Sequence, residues 1–170
     1  MRELLNFIAV TREIQISGKH GGGVEGGADI KGLRDRAAIA VMAYTFARVS
    51  AVAALKRSNY TLEGKRPRLR LPDKGGKEKL VWLHREAEEF LDAYRAVSRV
   101  TEPEAPRFQT LDKKHRLTGK ALSRREMLRA VKIRCQAISL PDTICNHTFR
   151  GTGITVFLQN GGSLEAAQYK

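Results

Sequence analysis

Between Gly32 and Tyr60 the chain reads GLRDRAAIAVMAYTFARVSAVAALKRSNY, a helix-prone apolar stretch whose polar positions crowd its two ends and otherwise fall at Thr45, Arg48 and Ser50. Such a pattern predicts core helices, and the interruption predicts two of them, broken near Ala47. The run from Ile39 to Leu55 falls short of the roughly 20 apolar residues a membrane span needs, and an arginine near its centre costs about 2.5–3.5 kcal/mol on insertion. It is expected to be buried in protein, and no membrane partner is expected.

The period then changes. RLRLP at 68–72 alternates, DKGGKE is a turn by its Asp and Gly residues, and KLVWLH returns apolar side chains, so residues 59–84 predict a β-hairpin or a small antiparallel sheet. REAEEFLDAYRAVSRV places Ala87, Phe90, Leu91, Tyr94 and Val97 on one face of an amphipathic helix. The prolines of TEPEAPRF mark a loop, which DKKHRLTGKAL at 112–122 continues. Ser123 followed three residues later by Glu126 fits a capping box, so a helix starts there with Leu128, Val131 and Cys135 inward and Arg124, Arg125, Arg129, Lys132 and Arg134 outside. A last long helix begins near Asn146 and stops at Gly161–Gly162, with SLEAAQYK opening another. At the other end, residues 1–16 carry a short helical pattern and 18–32 are glycine-rich, which predicts a short helical segment and flexible linker over 1–30 and one domain over 31–170. The fold class is α+β, mainly helical, with a small antiparallel hairpin or sheet at one edge.

Charge narrows the function. A net charge of +13 is the footprint of a protein that meets phosphate, and nucleic acid is the leading partner. Lys56 to Lys79 holds nine Lys or Arg against three acids. A hairpin edged with Arg66, Arg68, Arg70, Lys77 and Lys79 is a candidate for lying along a phosphate backbone, with Lys113, Lys114, Arg124 and Arg125 as further DNA-binding candidates. Two cysteines make no disulfide framework and no secretory signal leads the chain, so the protein is expected in a reducing, intracellular setting. Cys135, Cys145 and His147 match no zinc spacing, and the cysteines read better as buried inert thiols; no metal, cofactor or small-molecule substrate is expected.

One residue resists a structural explanation. Arg48 interrupts an apolar run, and a partly buried guanidinium needs a carboxylate, several carbonyls or an anionic ligand. His147 and Arg150, three apart in NHTFRGTGITVFLQNGG, share a helix face one turn apart. Taken with Lys74 at the tip of DKGGKEK, they form a set of charged groups far apart in sequence.

On these residues the chain resembles the catalytic domain of the tyrosine recombinases, the phage-integrase family. The stretch around Arg48 is similar to the family's first box, LPDKGGKEKLVWLH to its lysine-bearing hairpin, and NHTFRGTGITVFLQNGGSLEAAQ to its second box. The resemblance implies four catalytic residues: Arg48 and Arg150 on the non-bridging phosphate oxygens, Lys74 protonating the departing 5'-oxygen, and His147 bonding the phosphate or moving the nucleophile's proton. It implies DNA integration and site-specific recombination through a 3'-phosphotyrosyl link, without metal or nucleotide, and other recombinase protomers as partners of a full-length protein. Two positions depart from the family pattern. Ala51 stands where an acid usually follows the first arginine, and the nucleophilic tyrosine is expected about thirty residues beyond Arg150, past Lys170, with Tyr169 well short of it. The expectation is therefore a catalytic core truncated before its nucleophile, inactive alone. The alternative is a non-catalytic basic module that occupies recombination sites.

Overall fold

A computed structural model describes residues 29–73, 76–137, 139–141, 143–159 and 161–164. The expected helix and linker over 1–28 therefore lie outside the described residues, as do Lys74 and Tyr169.

Helix α1, Ile30–Thr45, is the axis of the molecule. Alanines and branched aliphatics let neighbours approach on every side, and Ala37 to Ala43 are all buried. The amphipathic helix α3, Arg85–Ser98, lays Ala87, Phe90, Leu91 and Tyr94 against it, while α4, Arg124–Ala137, and α5, Asn146–Gln159, pack on its other sides. The capping box of α4 forms as expected: Ser123 Oγ accepts from Glu126 N at 3.2 Å and Glu126 Oε2 accepts from Ser123 N at 2.9 Å.

Strands β1, Tyr60–Glu63, β2, Arg66–Pro72, and β3, Glu78–Trp82, form an antiparallel sheet in that order, with Tyr60 opposite Leu69 and Arg68 opposite Trp82. The period-2 rule acts cleanly along β2, where Pro67, Leu69 and Leu71 point into the core and Arg66, Arg68 and Arg70 point out. The residues expected to continue a loop instead form a second hairpin, β4, Gln109–Leu111, and β5, Leu117–Ala121. Its signal is weak in sequence because β4 is three residues long, its pairing shifts register, and only Gln109 of that strand is buried.

Burial corrects two further expectations. Met127, Ala130, Val131, Arg134 and Cys135 make the inner face of α4, so Arg134 is inside and Leu128 only half-buried. Arg134 donates from Nη2 to the Gly32 carbonyl at 3.0 Å, and Arg34 pairs with Asp35 and donates to the Gln109 carbonyl at 2.9 Å. Burial and the nearby Arg134 push the Arg36 guanidinium down to about 10. Cys135 is fully buried as expected, whereas Cys145 is half-buried beside Thr148.

Candidate active site

The site begins with how α1 ends. Thr45 Oγ1 donates to the Val41 carbonyl at 2.6 Å and accepts from Ala47 N at 3.3 Å, which gives the backbone a local alternative to another helical turn. Phe46 then takes a left-handed conformation, φ 55°, and Arg48 becomes the N-cap of the short helix α2, Val49–Ala53, its carbonyl accepting from Ala51 N and Val52 N. A residue with a Cβ holds that conformation at a cost of about 1–3 kcal/mol, and neighbours must enforce it.

Helix α5 supplies the enforcement. Arg150 donates from Nη1 to the Phe46 carbonyl at 2.8 Å. One turn further along α5, Gly153 leaves the space that the Phe46 ring fills: a Cβ placed on Gly153 would lie 2.0 Å from Phe46 Cδ1. The second arginine of the sequence pattern thus holds the corner that presents the first.

Arg48 is not partly buried inside a helix, as the apolar run suggested; it stands exposed at the junction of two helices. Of the partners its charge demanded, the described residues supply a carboxylate. Arg48 Nη1 lies 2.5 Å from Asp73 Oδ1, both side chains well exposed at 53% and 41%. Asp73 follows β2 directly and donates from its backbone N to the Lys77 carbonyl at 2.7 Å, which fixes the end of the strand beside Arg48. Burial and the neighbouring Arg48 hold the Arg150 guanidinium below the ordinary arginine range, and Asp73 acts in the opposite direction. Arg48, Arg150 and Asp73 are therefore one electrostatic cluster, built from three segments separated by 25 and 77 residues. His147 lies exposed on α5 one turn before Arg150.

The described tyrosines are engaged elsewhere. Tyr44 donates to Glu86 and stacks on His84, Tyr94 is buried against Phe108, and Tyr60 takes Arg95 and Arg107 over its ring. No group of three potential metal ligands gathers among the described residues, and no described helix is long and apolar enough to cross a membrane.

The other basic residues lie on two surfaces. On the outer face of β2, Arg66 and Arg68 lie over the Trp82 ring at 4.4 and 4.6 Å; Arg68 pairs with Glu63, and Arg70 with Glu78 at 3.5 Å. Lys77 is exposed and Lys79 half-buried on the same hairpin. Lys113 and Lys114, in the β4–β5 turn, and Arg124 and Arg125, at the start of α4, are exposed. Sequence reasoning overlooked Asp73 because an acid in a turn reads as turn chemistry, and it overlooked Gly153 because nothing in the sequence says which glycine faces a ring.

The model of the phage integrase family matches residues 26–170. The tyrosine recombinase XerD of Xanthomonas campestris pv. campestris is 32% identical over 142 residues, which is 81% of this chain and 43% of that protein, and the XerD of Lacticaseibacillus casei is 29% identical over 139 residues, 81% of this chain and 45% of that protein. The chain thus spans less than half the length of these relatives. Among solved structures, the XerH site-specific recombinase bound to its difH substrate superposes with a TM-score of 0.73 at 21% identity, covering 99% of this chain and 44% of that one, and the XerA recombinase with 0.69 at 18%, covering 96% and 51%. The extent of the family match and the identity to XerD settle the kinship that the boxes around Arg48 and Arg150 suggested: the chain belongs to the phage integrase family, the tyrosine recombinases.

Proposed function

We propose that this chain is the phosphate-holding core of a site-specific DNA recombinase, seating the scissile phosphodiester of duplex DNA between Arg48 and Arg150. The observation that carries the reading is the convergence of two guanidiniums near one exposed carboxylate. Asp73 occupies the place of an anion, and a phosphodiester, with two non-bridging oxygens for two planar forks, suits that place better. The arginines bind the oxygens on which charge builds as a tyrosine hydroxyl attacks phosphorus. The new bond joins the tyrosine oxygen to phosphorus, the bond from phosphorus to the 5'-oxygen breaks, and Lys74, beside Asp73 in the turn, gives that oxygen its proton. His147 bonds the phosphate or relays the nucleophile's proton.

Tyr44, Tyr60 and Tyr94 have other work, so the attacking hydroxyl in this scheme comes from another tyrosine. The basic face of β2–β3, with Lys113, Lys114, Arg124 and Arg125, holds the duplex on either side. Relatives named as recombinases support further recombinase protomers as partners and the bacterial cytoplasm, at nucleoid or plasmid, as the place of action.

The reading is tested by duplex affinity in Arg48→Ala and Arg150→Ala, set beside Arg68→Ala and Lys77→Ala. A non-catalytic basic module would lose affinity equally at all four. A companion experiment concerns Asp73. Exposed ion pairs contribute at most about 1 kcal/mol, so Asp73→Asn should barely change the unfolding midpoint. Removing the competing carboxylate should strengthen duplex binding by roughly threefold to tenfold at low salt. Weaker binding in Asp73→Asn would show instead that the carboxylate holds Arg48 in position for DNA.

A further inference from the structure

A second group of arginines lies away from Arg48, where the chain leaves α2. Residues 103–107 run antiparallel to 55–58: Arg57 N donates to the Ala105 carbonyl at 3.0 Å, Ser58 N to Pro103 at 2.9 Å, and Arg107 N to Leu55 at 2.7 Å. This backbone pairing sets Arg57 and Arg107 side by side, and α3 brings Arg95 to the same spot. All three line a cavity of about 350 Å³. Arg107 is 7% exposed, its Nη2 donates to the Arg57 carbonyl at 2.6 Å, and its Nε is buried without a hydrogen-bond partner. Tyr60 lies under Arg95 and Arg107, with guanidinium carbons 4.6 and 5.7 Å from the ring centre.

The charges do not balance locally. The carboxylate in the cavity wall is Asp92, and it is committed to Arg95 at 2.7 Å. Among the described residues, no carboxylate lies within ion-pair distance of Arg57 or Arg107; Glu102, which feels Arg57, is fully exposed. Burial first, then Arg95 and Arg57, push the Arg107 guanidinium down to about 10. Three guanidiniums against one carboxylate, around an open cavity with one arginine buried, is an arrangement that an incoming anion stabilises.

We propose that the Arg57–Arg95–Arg107 cavity is a second phosphate-binding site, taking a backbone phosphodiester of the DNA that flanks the one held at Arg48 and Arg150. The assignment rests on the DNA-binding reading above. Arg57 follows Arg48 by nine residues, and even a fully extended chain keeps them within about 30 Å. That is less than one turn of duplex, roughly 34 Å, along which each strand carries a phosphate about every 3.4 Å. A duplex seated in the first site therefore has further phosphates at the right range. The fork of a guanidinium matches a phosphodiester, and a phosphate contact of this kind adds affinity without sequence preference.

The test uses the whole 170-residue chain and leaves buried Arg107 untouched. Arg57→Gln and Arg95→Gln should each weaken duplex binding by about threefold to tenfold, to the same degree on unrelated sequences, and lower the slope of log affinity against log salt by about 1, with the melting temperature unchanged. In a second arm, inorganic phosphate is titrated into DNA-free protein while the Nε–H resonances of Arg57 and Arg95 are followed. Phosphate-dependent shifts without any loss of DNA affinity in the variants would make this a free-phosphate site and overturn the assignment to DNA. Unchanged affinity and slope in both variants, with Arg48→Ala impaired, would overturn this site and leave the first standing. No change in any of the three would overturn both.

Discussion

Gly153→Ala should lower the stability of the chain by about 1–3 kcal/mol and disturb the corner that carries Arg48 at the same time. The added methyl would fall 2.0 Å from Phe46 Cδ1, 2.1 Å from Cε1 and 2.8 Å from Cγ. Flipping the ring about its own axis does not help, because Cγ is on that axis. Phe46 cannot easily yield either, since its backbone is in the left-handed region and its carbonyl is held by Arg150. Either α5 slides or the corner after α1 reshapes, and each moves Arg48 relative to Arg150. Gly151→Ala is the control. It sits on the same helix with open space where its Cβ would go, and should stabilise by about 0.5–1 kcal/mol through helix propensity alone. Urea unfolding of the two variants checks the pair, and equal stability would mean that the Phe46 contact does not constrain α5.

The second large effect is on DNA. Hydrogen bonds to charged groups contribute about 1.5–3 kcal/mol, so Arg48→Ala and Arg150→Ala should each weaken duplex binding by roughly 10- to 100-fold. Arg68→Ala and Lys77→Ala, on an exposed face where phosphate contacts are screened, should cost only severalfold. Lysine replacements separate charge from shape: Arg48→Lys keeps the charge but loses the fork, and should recover only part of the affinity. Because Arg150 also holds the Phe46 carbonyl, Arg150→Ala needs its unfolding midpoint measured alongside, whereas exposed Arg48 should leave stability nearly unchanged.

Much of this was legible in the sequence, and the reasons are local. The amphipathic pattern of Ala87, Phe90, Leu91 and Tyr94, the Ser123–Glu126 box and the alternation along Arg66–Pro72 are periodic signals, and each produced the element it implied. The break near Ala47 was visible because Thr45 and Arg48 interrupt an apolar stripe. Hidden features are those that depend on contacts between distant segments. Arg34, Arg36, Arg107 and Arg134 are buried, yet an arginine reads as surface by composition, and its burial depends on carbonyls and rings supplied by other elements. The β4–β5 hairpin stayed hidden behind its short, irregular strands. Arg48 was singled out for a burial it does not have. What makes it unusual is its partner on another element, Asp73, which no spacing rule reports.

In the proposed site Arg48 and Arg150 act on one anion. A double-mutant cycle in duplex binding measures that directly. With the wild type, Arg48→Ala, Arg150→Ala and the double variant compared at one salt concentration, the double variant should lose clearly less than the product of the single losses, a coupling of at least about 1 kcal/mol. Losses that simply multiply would mean that the two guanidiniums bind DNA independently, and that no shared phosphate site exists.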